Sequence, residues 1–189
     1  MQARESLIAA AIDLVRRHGV AGTGLAELIE HSGRSRRTIY LNFPGGKAEL
    51  VTNAVGSAGA ATADLIRSFV GKRTVDEAFG AFIDTWKHVL SESGFTAGCP
   101  IVAATLGRSE APAAADAAGD AFHEWEEILT TRLEQEGVPN ADAQALATTI
   151  IAAVEGAVIM SLAAQSTAPL ERTSRQIATL IEQQLPANQ

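Results

Sequence analysis

Residues 23–47 read TGLAELIEHSGRSRRTIYLNFPGGK, and the fold turns on this stretch. Leu25, Leu28 and Ile29 recur at i, i+3 and i+4, the spacing of one apolar helix face. Thr23 stands where an N-cap is expected, because its hydroxyl can accept from an orphan amide of the first turn. Ser32-Gly33 breaks the pattern, and Gly33 can take the left-handed conformation that a tight turn needs. Ser35 is placed to cap a second helix running to about Phe43, and Pro44-Gly45-Gly46 stops it. Two short helices joined by such a turn form a helix-turn-helix, whose second helix can enter the DNA major groove.

The second helix can be read position by position. Ile39 and Phe43 share a face that packs inward, while Arg37, Thr38 and Leu41 point the other way. Arg36 and Tyr40 lie on a flank. Arg37 is the first choice for a bidentate contact to guanine, and Thr38 or Leu41 for a thymine methyl. Arg34, Ser35, Arg36, Tyr40, Asn42 and Lys47, with Thr23, complete the expected DNA-binding set, chiefly as phosphate contacts that fix register. Lys47 falls at the start of the next helix, where amide groups also favour a phosphate. The plain alternative is a solvated basic helix with no nucleic-acid role. The turn and the two caps around the arginines weigh against it.

This segment resembles the DNA-binding part of TetR-type transcriptional regulators. The likeness is carried by Gly33, Ser35-Arg36, Thr38-Ile39-Tyr40, Phe43, and Lys47 with Leu50. The form FPGGK, with Gly98-Cys99-Pro100 downstream, is similar to the LmrA and YxaF subgroup. Ile29 departs from that pattern where alanine is usual, and Arg34 where an apolar residue is usual. The resemblance implies an all-α fold of about nine helices. It also implies a DNA-binding domain over 1–60, its boundary inside a connecting helix, and a ligand-binding and dimerisation domain over 61–189.

Composition suits that picture. The 189 residues are 47% hydrophobic and 20% charged, enough for a sizeable core. A net charge of −7 argues against a generic nucleic-acid binder, but the charge is unevenly spread. Residues 1–50 carry seven Lys/Arg against five Asp/Glu; residues 51–189 carry eight against seventeen. No acid lies between Glu30 and Glu49, where Arg34, Arg36, Arg37 and Lys47 fall. A small basic head on an acidic body should meet DNA in one orientation. The one cysteine rules out an internal disulfide and agrees with a reducing cytoplasm. Arg4, Glu5, Asp13, Arg16 and Arg17 leave no room for a signal-peptide apolar region. Glu155 interrupts the longest apolar run, so the expectation is a cytoplasmic protein with no membrane partner.

Downstream, a long connecting helix is expected over 47–70, weakened at Gly56 and Gly59. Those glycines mark either close packing or a pivot. Thr74 to Glu77 is a capping box that starts a helix carrying Phe79, Phe82, Ile83 and Trp86. This aromatic stripe is either core or pocket lining. A further helix from about Pro112 to Glu136 adds Phe122 and Trp125 to the pocket candidates. Cys99, before Pro100 at a helix start, joins that set either as an inert buried thiol or as a reactive one. Glu155 is either a polar anchor in the pocket or an acid paired across an interface. Asn140 is expected to cap the helix over 141–165, which is apolar on nearly all sides and so needs several partners. Ile150, Val154, Ala157 and Val158 on it, with Ile177, Leu180 and Ile181 on the last helix, are the expected homodimer interface.

The resulting reading is a homodimeric repressor of a palindromic operator, released by a small, largely apolar effector. A competing reading uses Asp116, Asp120, His123 and Glu127, which fall on one helix face, as a metal-binding or enzymatic stripe together with Asp84 and His88. It lacks a phosphate loop, a metalloprotease motif and a nucleophile elbow. No catalytic residue, metal ligand or cofactor is therefore assigned. A third reading is a helical interaction module that has lost DNA binding.

Overall fold

The computed structural model describes residues 2–71 and 74–186. Among them the chain forms nine helices and no strand. These are α1 (Gln2–His18), α2 (Leu25–Ser32), α3 (Arg36–Asn42), α4 (Gly46–Val70), α5 (Val75–Glu92), α6 (Pro100–Leu106), α7 (Pro112–Gln135), α8 (Asn140–Ala164) and α9 (Ala168–Gln184). They divide into two compact units, Met1–Ala61 with Cys99–Phe122, and Thr62–Gly98 with His123–Gln189. The first unit thus takes in α6 and the first half of α7 as well as the helices before residue 61. There α6 lies against α1, with Ile101 and Ala104 buried.

Local chemistry sets most helix ends. Gly33 ends α2 at φ +64°, and the Ser35 hydroxyl accepts from the Thr38 amide at 3.1 Å. Thr74 and Glu77 form the reciprocal box at the start of α5: Glu77 N–H donates to Thr74 Oγ1 at 3.3 Å, and Thr74 N–H to Glu77 Oε2 at 3.1 Å. Two expected caps need correction. Thr23 is fully buried and its hydroxyl turns back to the Gly19 carbonyl at 2.8 Å, so Gly24 becomes the cap residue of α2. Pro139 caps α8, while the Asn140 amide donates to Glu134 Oε1 at 2.7 Å.

The first unit is built on Leu7, Ala11 and Leu14 of α1, Leu28 of α2, Ile39 and Phe43 around α3, and Leu50 and Ala54 of α4. Each is at most 5% exposed, so the small basic helix is fixed from three sides. The Arg4 guanidinium lies 5.2 Å from the Phe43 ring centroid, within cation–π range. The second core joins α5, the end of α7, α8 and α9.

That second core corrects the expected dimer interface. Ile150, Val154, Ala157, Val158, Ile177 and Ile181 are buried within their own unit, and Leu180 packs on the same core. The reason is that α8 is apolar all round, so its pattern does not say which stripe turns inward. By length and composition α8 could also cross a bilayer, yet it packs on α9 and α5. Only 39% of its most apolar 18-residue window is buried. The outward row is Ala152, Gly156, Ile159, Met160 and Ala163, with Ile159 50% and Met160 59% exposed.

The glycines of α4 differ in role. A Cβ on Gly59 would lie 2.6 Å from the Ala121 Cβ, whereas one on Gly56 would meet nothing within 4 Å. Gly59 is thus required by close packing and Gly56 is not. Gly56→Ala is expected to stabilise the protein by about 1 kcal/mol through helix propensity, and Gly59→Ala to destabilise it. Urea unfolding of the two variants checks this, and shifts of the same sign would contradict the packing account.

Candidate nucleic-acid interface and ligand cavity

α3 presents one exposed face made of Arg36, Arg37, Tyr40 and Leu41, the last two 48% and 71% exposed. Around this face several expected DNA contacts are already engaged within the protein. Thr38 Oγ1 shares a hydrogen bond with Ser35 Oγ at 2.9 Å. The Asn42 amide donates to the Thr38 carbonyl at 2.8 Å, which uses one of its two N–H donors. Arg34 Nε donates to Ser6 Oγ at 2.9 Å, tying the turn to α1. Lys47 Nζ donates to the Val20 carbonyl at 3.2 Å, anchoring the start of α4 rather than standing clear of it. Thr23, buried as described, shapes the bend before α2 and offers no surface contact.

The second unit encloses a cavity of about 60 Å³. Phe79 and Phe82 of α5, Trp125 of α7 and Glu155 of α8 lie in its wall. The other pocket candidates do not. Ile83 is buried in the core, Trp86 packs against it, and Cys99 and Phe122 belong to the first unit. Cys99 is also only 7% exposed. Sequence reasoning missed Ile66, Phe69 and Val70 of α4, which line the cavity at i, i+3 and i+4. It also missed Leu129, Arg132 and Leu133 of α7, and Ile151. Ile150, Val154 and Ile181, expected at an interface, are wall residues too. The helical spacing on α4 was the available signal, but its reading as a connector hid it. Near this wall, the hydrogen bond from Arg67 to Glu124, at 2.5 Å, raises the guanidinium above its ordinary pKa.

The acidic stripe of the competing reading does not converge. Asp116 pairs with Arg108 at 2.7 Å, Asp84 with Lys87 at 3.1 Å, and His123 lies 3.3 Å from Glu127. Among the described residues no group of three or more His, Cys, Asp or Glu is placed to hold a metal ion.

The model for bacterial regulatory proteins of the tetR family matches residues 7–54, and that for the LmrA/YxaF-like transcriptional regulator C-terminal domain matches residues 76–176. The chain belongs to the TetR family of transcriptional regulators. Within that family it falls in the LmrA/YxaF-like group. An uncharacterised HTH-type transcriptional regulator of Mycobacterium tuberculosis is 31% identical over 97% of this chain and 96% of its own length. The HTH-type transcriptional regulator LmrA of Bacillus subtilis is 27% identical over 95% and 96%. Among solved structures, the regulatory protein TetR of Rhodobacter sphaeroides superposes with a TM-score of 0.85 at 19% identity, covering 95% of this chain and 98% of that one. A TetR transcriptional regulator of Chloroflexus aurantiacus gives 0.80 at 26% identity, with 97% and 96% covered. The N-terminal TetR match runs over the span that supplies the first core, from Leu7 to Ala54.

Proposed function

We propose that this TetR-family regulator is a homodimeric repressor that binds a palindromic operator and leaves it when an effector occupies the cavity. The observation that carries the reading is the exposed face of α3, where Arg36 and Arg37 flank Tyr40 and Leu41. Arg37 is the base-reading arginine and Arg36 a phosphate contact. Two copies related by a twofold axis read an inverted repeat, with half-sites about one helical turn or a multiple apart.

The outward row on α8 supports dimerisation. Ala152, Gly156, Ile159, Met160 and Ala163 follow i, i+4, i+7, i+8 and i+11, and Gly156 faces open space. Such a stripe of small and apolar residues suits the close approach of a second α8. Met160→Glu is expected to convert the dimer to monomer in sedimentation velocity, and to abolish binding to DNA flanking its own gene. A variant that stays dimeric would place the interface elsewhere.

Release follows from the path of α4. The helix begins next to the motif and, at its other end, supplies Ile66, Phe69 and Val70 to the cavity wall. A drug-sized ligand needs roughly 300 Å³ or more. The 60 Å³ present is far less, so a bound effector must part the helices that enclose it. It shifts the protein only by its difference in affinity for the open and closed forms. A largely apolar effector fits the wall.

A further inference from the structure

We infer that Ser6 of α1 is a positioning residue for DNA binding: it holds the Arg34 guanidinium so that the terminal nitrogens meet a backbone phosphate beside the start of α3. This rests on the reading of α3 as the recognition helix.

Arg34 stands one residue before Ser35, the cap of α3. A helix lying in the major groove approaches there the phosphates that border the groove. The residue is held at both ends. Its amide donates to Ser32 Oγ at 3.3 Å, and its Nε donates to Ser6 Oγ at 2.9 Å. Ser6 gives its own proton to the Ala3 carbonyl at 3.1 Å, so its oxygen faces Arg34 as an acceptor. The bond to Ser6 uses the Nε–H. The N–H groups on Nη1 and Nη2 form the end of the fork that matches a pair of phosphate oxygens.

Ser6 is a firm support. Leu7 beside it is fully buried in the first core. Arg4 donates to Asn53 Oδ1 of α4 at 2.6 Å and lies over the Phe43 ring, so the start of α1 is tied to both ends of α3. The chemistry of the holding group matters as much. Arg17, Arg67, Arg108 and Arg132 pair with carboxylates, which offset their charge. A hydroxyl fixes a guanidinium without neutralising it. Arg34 therefore offers a phosphate its full charge, with much of its rotamer freedom already lost before DNA arrives.

A phosphate contact carries no sequence information, so the test needs no knowledge of the operator. Binding of the full-length protein to a short mixed-sequence duplex is followed by fluorescence anisotropy at several salt concentrations. Arg34→Ala should reduce the slope of log affinity against log salt by about one. Ser6→Ala should leave that slope unchanged, because the charge remains, and weaken binding about three- to tenfold. In the Arg34→Ala background the same substitution should weaken it no further. Ser6→Thr, which keeps the hydroxyl, should bind like the parent protein. Arg34→Lys keeps the charge without the fork and should match Ser6→Ala, which preserves the test if Arg34→Ala folds poorly. No loss with Ser6→Ala, an equal loss with and without Arg34, or a slope that Arg34→Ala leaves unchanged overturns the clamp and leaves the reading of α3 standing. A parent protein that binds no duplex overturns both.

Discussion

Phe43→Ala is expected to abolish duplex binding and to lower the stability of the first unit by about 3–5 kcal/mol. Phe43 is fully buried, closes the C-terminus of α3 and lies under the Arg4 guanidinium. Its ring touches the core shared by α1, α2, α3 and α4, so its loss leaves a hole that no single helix can refill. With only seven residues, α3 keeps its geometry through packing and the Ser35 cap, not through helix propensity. Hydrogen exchange read by peptide is the appropriate measurement. Protection should fall across residues 7–54 and persist across 140–184, where the second core lies. Equal loss in both regions would mean that the two cores are not separately stabilised.

Arg37→Ala is expected to weaken operator binding by about 1–3 kcal/mol, roughly five- to 150-fold, and to relax preference at one base pair per half-site. Arg37 is exposed on the outward face of α3, so its removal should not disturb the fold. Arg36→Ala gives the contrast. As a phosphate contact it should weaken all duplexes evenly and reduce the slope of log affinity against log salt by about one. Competition binding with single-base operator variants, repeated at several salt concentrations, separates the two. Identical behaviour of both variants would undo the division of labour between base and backbone. Lys47 is a poorer probe, because its bond to the Val20 carbonyl mixes a DNA effect with a structural one.

The motif was legible because its signals are local. Ser35, Gly33 and the Pro44-Gly45 stop each act within one turn of the helix end they define, and α3 lies where they put it. The same holds for Thr74 and Glu77 at α5. Thr23 misled because its hydroxyl donates to the Gly19 carbonyl instead of accepting from an amide at the start of α2. The tertiary placements were harder. On α8, an apolar residue at nearly every position removes the amphipathic contrast that would tell inside from outside, so Ile150 and Val154 were placed on the wrong face. Cys99 and Phe122 were counted with the pocket residues, yet both lie in the first unit. Nothing local reveals that α6 and the first half of α7 fold back to the first unit. Arg132 carries no local signal in the sequence, and only the structure puts it in the cavity wall.

Repeated selection of bound duplexes from a random library, followed by sequencing, tests the central reading most directly. The account predicts enrichment of an inverted repeat whose half-site centres lie about one or two helical turns apart. Enrichment of a lone half-site or a direct repeat, or none at all, would contradict a symmetric dimer that reads DNA through α3.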